Sequence, residues 1–297
     1  MHVMVRFRKC QAAFTRADLL ALVIALLLVG LVAVPIYANS KGKSRIAVCL
    51  ANFEQLTLGW IMYADDFNGN LVWNREGDTA GMISSIQVWA GGWLDFSSSA
   101  NNTNTELLVS FGSPAGKWSG LLGNYVNKAT TIFRCPDDLS SVTIQNKTYQ
   151  RVRSVSMNTY MNGVASGDGS PNGYVDPGFR LYRKSADIFR PRPSATFVFI
   201  DEHEVSINDG VFEMDLPKCL GNNNELTPGS FSLIDFPSNR HNGGSVLSFA
   251  DGHAELWTWR DSRTAPVIKF TDNLNHNVSS PNNVDVGRLA LSTSARR

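Results

Sequence analysis

The sequence predicts an α+β fold: a long N-terminal helix, transmembrane and then amphipathic, followed by one globular head with an antiparallel sheet. Three observations predict it. Leu19 to Tyr37 carries no charge. Ile46, Cys49, Phe53, Leu56, Trp60 and Tyr63 recur at spacings of three and four, which places them on one helical face. Beyond them, Asn-Gly and Asp-Gly pairs punctuate short apolar runs, the pattern of hairpins.

The chain opens on a basic leader, residues 1–13, with Arg6, Arg8 and Lys9 and no acid. The helix is expected over residues 14–66. Its first half, 19–37, is long enough to cross a hydrocarbon core of about 30 Å. The basic residues ahead of the span put the N-terminus in the cytoplasm and the head outside the inner membrane. A cleaved signal peptide is a poor match, because a cut after Ala38 would leave Ile36 where a small residue is required; a plain anchor is the simpler alternative. Pro35 removes one i→i−4 hydrogen bond and is expected to kink the helix. Asp65-Asp66-Phe67-Asn68-Gly69 ends the helix with turn formers.

Residues 67–297 form the head. Thr196–Ile200 reads as a strand, and residues 245–250 and 254–259 as a hairpin turning at Asp251-Gly252. Period two puts Val246, Ser248 and Ala250 on one face and Leu247 and Phe249 on the other. A second helix is expected over Gly120–Lys128, and the polar tail from about Thr271 is expected to be loop.

Composition narrows the chemistry. Lys+Arg 27 against Asp+Glu 26 gives a net charge of +1, with no electrostatic footprint for nucleic acid. No GxSxG, HExxH, CxxC or phosphate-loop pattern occurs, so no catalytic residue and no cofactor is expected. Asp201-Glu202-His203-Glu204 is the richest ligand cluster, a weak candidate for a metal beside a simpler reading as a polar strand end. A hydrolase built on His203, His241 and Asp251, and a tethered glycan binder using the tryptophans, are the two rival functions. Cys49 faces whatever the head packs on the helix and Cys135 opens a Cys-Pro turn, so a Cys49–Cys135 disulfide is expected. Cys49–Cys219, Cys135–Cys219 and free thiols are the alternatives.

Ala13-Phe14-Thr15 before the apolar run, with Asp18 five residues into the chain that starts at Phe14, resembles the N-terminus of type IV pilins and type II secretion pseudopilins. Ala13 stands where the family has glycine, and Asp18 where it has glutamate. Near the C-terminus His241, nine residues, then Asp251-Gly252 is similar to the H-X9-DG box of bacterial prepilin-type proteins. Phe133–Asp138, Ser154–Asn158 and Tyr63–Asp66 also look like segments of that family. The resemblance implies a cut between Ala13 and Phe14 by a prepilin peptidase and methylation of the new amine. Asp18 would then pair with the amine of a neighbouring subunit. It further implies a non-enzymatic pseudopilin or minor pilin, anchored in the bacterial inner membrane with a periplasmic head, whose partners are other pilin-like subunits.

Overall fold

The computed structural model describes residues 16–75, 77, 87–114, 117–164, 175–267 and 277–297. Within 16–44 it describes the backbone and the side chains of Leu19, Leu20, Leu22, Val23 and Ile24. The leader 1–13 and Phe14 lie outside the described residues, as does the side chain of Asp18.

Helix α1 runs Arg16–Asp66. Two compact units divide at Ser44/Arg45, so the last stretch of α1 belongs to the head rather than preceding it. The expected stripe explains why. Cys49, Phe53, Leu56, Trp60 and Tyr63 are all buried, while Val48, Leu58 and Met62 on other faces are exposed. Each large apolar side chain so buried contributes about 1.5–3 kcal/mol. Among the described residues Arg45–Asp66 is also long and apolar enough to cross a membrane by length and composition, although its stripe is buried in the head.

The head is mixed α/β around a five-stranded sheet. Its strands are β1 (Val155–Asn158), β2 (Phe197–Asp201), β3 (Val211–Phe212), β4 (Gly244–Phe249) and β5 (Ala254–Thr258). Their order is β5-β4-β2-β1-β3, antiparallel except for the β1–β3 pair. Every residue of β1, β2 and β4 is buried, because both sheet faces are covered. On one face Thr57 of α1 donates to Ser248 Oγ at 2.6 Å. The opposite face carries Trp257, with the Arg288 guanidinium 3.5 Å from its ring centroid. Arg288 lies on helix α2 (Val284–Thr293). The hairpin pairs Ser248 with Ala254 and Gly244 with Thr258, and turns at Asp251-Gly252 as expected.

Two expectations fail. Gly120–Lys128 is a chain of turns, not a helix. Gly120, Asn127 and Lys128 have φ of +79°, +51° and +53°, outside helical space. Gly123 packs so closely on the Val109 backbone that a Cβ there would lie 2.1 Å from its carbonyl oxygen. The tail, in turn, is not all loop. In α2, Val286, Leu289, Ala290 and Thr293 are buried, and the Asn283 side chain accepts from the amides of Asp285 and Val286 as an N-cap.

Thr57 docks α1 on the sheet through a buried hydroxyl pair. Thr57→Val keeps the shape and strands the Ser248 hydroxyl, so it should cost about 1–3 kcal/mol in denaturant melts. Thr57→Ser should recover most of that loss; equal stability of all three chains would remove the pair from the docking.

Candidate functional site

The site lies where α1, the loop before the Ser141–Ile144 strand and the turn into β4 converge. Cys49 comes from the helix stripe, Cys135 from the Cys-Pro turn that follows the buried Ile132-Phe133, and His241 from the turn ahead of β4. All three are buried. Their donor atoms lie within 4.8 Å of one another, with Cys135 Sγ 3.2 Å from His241 Nε2. The other ring nitrogen, Nδ1, lies 3.0 Å from Asp137 Oδ2, and Asp137 Oδ1 is 2.6 Å from Arg45 Nη1.

The backbone around His241 is unusual. His241, Asn242 and Gly243 have φ of +54°, +65° and +91°, and the Gly244 amide donates to the Arg240 carbonyl at 2.7 Å. A histidine in the left-handed region costs about 1 kcal/mol. The Asn-Gly-Gly sequence that follows tolerates the continuation of this turn, which aims the imidazole at Cys135.

Thiol and imidazole are tuned against each other. The hydrogen bond from the Cys49 thiol holds Cys135 below its ordinary pKa, against burial. Burial opposes charge on His241, but contact with Cys135 outweighs it and raises the ring. Cysteine, histidine and carboxylate in this order would activate a nucleophile in an open cleft. Here Cys135 is 0% exposed.

Next to this site Arg240 organises a buried charge network. Its Nη1 is 2.6 Å from Asp201 Oδ2, and Nη2 is 2.9 Å from Glu204 Oε1 and 3.5 Å from Asp138 Oδ1. Burial opposes its charge, yet Asp201, Asp138 and Glu204 outweigh burial and hold it above its ordinary range. Asp201 also accepts from Ser154 Oγ at 2.6 Å and Ser238 Oγ at 2.8 Å. Ser154 Oγ in turn accepts from the Cys135 amide, linking the network to the thiols.

These contacts settle several sequence expectations. Asp201-Glu202-His203-Glu204 is no polar strand end facing water; all four are buried. Nor does His203 offer a ligand atom, since Nε2 contacts the Pro266 carbonyl at 3.0 Å and Nδ1 accepts from the Val205 amide at 3.3 Å. Burial lowers its pKa to about 4, so the ring is neutral. The two ends of the H-X9-DG box serve different places: His241 meets Cys135, whereas Asp251 bonds His253 Nδ1 at 2.5 Å on an exposed turn whose Gly252 has φ of +101°. His203, His241 and Asp251 are therefore each engaged by different partners. Cys49 and Cys135 are neighbours, as the helix face and the turn suggested, but they are free thiols rather than a disulfide, and Cys219 is a third buried free thiol. Of the seven tryptophans only Trp73 is exposed, at 40%. The grouping of Cys49 and Cys135 with His241 has no signal in their spacing: Cys49 lies mid-helix on the apolar stripe, while Cys135 and His241 come from turns that border the Thr130–Phe133 segment and β4.

No family model, curated protein or solved structure matches the chain.

Removing the central cation should be severe. Arg240→Met leaves Asp201, Glu204 and Asp138 without their counter-charge and should cost about 3–5 kcal/mol of unfolding free energy.

A second expectation concerns pH. Burial raises Glu202 from its ordinary 4.5 to about 8, where its Oε1 accepts from Ser206 Oγ at 2.8 Å. The folded state then holds a proton that the unfolded chain has lost. This contribution is complete below pH 4.5 and disappears as pH rises through 8. Glu202→Gln should flatten the stability curve in that window by up to about 1.4 kcal/mol per pH unit. An unchanged slope would mean that Glu202 is ionised in the folded protein.

Proposed function

We propose that the chain is a pilin-like subunit, a pseudopilin or minor pilin of a type II secretion or type IV filament system, held in the bacterial inner membrane by α1 with its head in the periplasm. One observation carries the reading. Helix α1 extends over 51 residues, and near its start Leu19, Leu20, Leu22, Val23 and Ile24 are 48–66% exposed. Such a run of uncovered aliphatic side chains requires a cover, which lipid supplies before assembly and neighbouring helices supply afterwards. The leader, Phe14, Asp18 and the H-X9-DG box support the same reading by resemblance. Function then follows from assembly and from the head's contacts, and the chain performs no catalysis of its own. Its partners are the prepilin peptidase, other pilin-like subunits and the membrane.

N-terminal mass spectrometry of membrane-extracted protein tests the reading. The expected product begins at a methylated Phe14, and Ala13→Gly should raise the processed fraction. A terminus near Asn39, or an intact Met1 in assembled material, would overturn it. Asp18→Ala should leave membrane insertion intact and reduce cross-linked multimers, because it removes the carboxylate that pairs with the neighbouring amine. Equal multimer yields would leave Asp18 as a charge at headgroup level.

A further inference from the structure

We propose that Cys49, Cys135 and His241 bind one zinc ion, with Asp137 orienting the histidine. The trio supplies two sulfur donors and one imidazole nitrogen from three distant parts of the chain, all within 4.8 Å of one another. The 3.2 Å between Cys135 Sγ and His241 Nε2 is close to the roughly 3.5 Å that separates sulfur and nitrogen ligands around a tetrahedral zinc. Asp137 Oδ2 lies 3.0 Å from Nδ1, out of line for a hydrogen bond as the ring now stands, and is the carboxylate placed to hold Nδ1–H once Nε2 turns to a metal. Arg45 holds the other oxygen of that carboxylate.

Donor chemistry selects the ion. Two sulfurs and an imidazole suit a thiophilic d10 ion and not Mg2+ or Ca2+, which take oxygen. Binding converts two thiols to thiolates and releases two protons, with no change of oxidation state. Two thiolates and a neutral imidazole around Zn2+ leave the complex with no net charge, as a buried site demands, whereas Cu+ would leave one negative charge there; the nearby Asp201 and Arg240 already offset each other. Three protein ligands leave a fourth position for a non-protein group. The site would fasten the head portion of α1 to the turn that starts β4.

The test uses the full-length chain extracted from membranes under anaerobic conditions. Metal analysis should find about one zinc per chain, and cobalt exchanged into the site should give a thiolate-to-metal charge-transfer band. Cys49→Ser, Cys135→Ser and His241→Ala should each lose the ion, while Cys219→Ser retains it. Asp137→Asn should weaken binding by about ten- to a hundredfold. Should the ligand variants fail to fold, the wild-type chain still decides: chelation should expose Cys49 and Cys135 to alkylation together and lower the melting temperature. Recovery of Cys49 and Cys135 as one disulfide-linked peptide pair without metal would overturn the proposal. Copper at the same stoichiometry would overturn the charge argument and the choice of ion, and zinc retained by all three ligand variants would place it elsewhere.

Discussion

Burial of one helical stripe against the sheet fixes the position of nearly everything else in the head. Cys49, Phe53, Leu56, Trp60 and Tyr63 occupy the core, and each contact along the stripe recruits a different segment. Thr57 meets Ser248 of β4. Gly59 lets Val126 approach so closely that a Cβ would lie 2.7 Å from its methyl group. Tyr63 stacks on Phe67 with centroids 4.4 Å apart, and Tyr125 donates to Asp66 at 2.9 Å. Remove the stripe and one face of β4 loses its cover, which is why a helix that looks like a separate element in sequence is a wall of the core.

The head departs from an apolar interior where that wall ends. Around Asp201 the chain buries an arginine, four carboxylates and a histidine, a costly arrangement that only mutual pairing sustains. Asp201 and Glu204 share Arg240, Glu202 holds its proton, and His203 stays neutral between two backbone groups. Such networks fix orientation more than they add stability: carboxylate geometry tells β2, the Asp138 loop and the turn into β4 where to sit, as apolar contacts, which lack direction, cannot.

What the sequence discloses follows the range of the interactions involved. The helix stripe and the hairpin at Asp251-Gly252 rest on local period and turn chemistry, and both were legible to within a residue at each strand end and for five of the six stripe residues. Gly120–Lys128 has an apolar pattern suited to a helix, but a distant partner, the Val109 backbone, dictates turns there. Helix α2 was hidden by its Asn- and Ser-rich flank, although Asn283 as a cap and Val286, Leu289, Ala290 and Thr293 at helical spacing were present to be read. The site was half legible. A helix face and a Cys-Pro turn indicated that Cys49 and Cys135 meet, but nothing in their spacing shows His241, which reaches them through three consecutive left-handed residues. Likewise Asp201 to Glu204 reads as a surface cluster until the arginine that neutralises it arrives from nearly forty residues downstream.

The placement of Arg45–Asp66 inside the head has a mechanical consequence. Tension applied at Arg45 does not reach the sheet through a flexible hinge. It enters along a helix seated lengthwise in close-packed core, so the load falls in shear on Phe53, Leu56 and Trp60 together. Many contacts must slip at once before the head lets go. A peeling geometry, with the chain entering at a loop, would break them one by one. The same seating makes residue 67 the wrong place to sever the head from its stem: the cut would take a core wall with it.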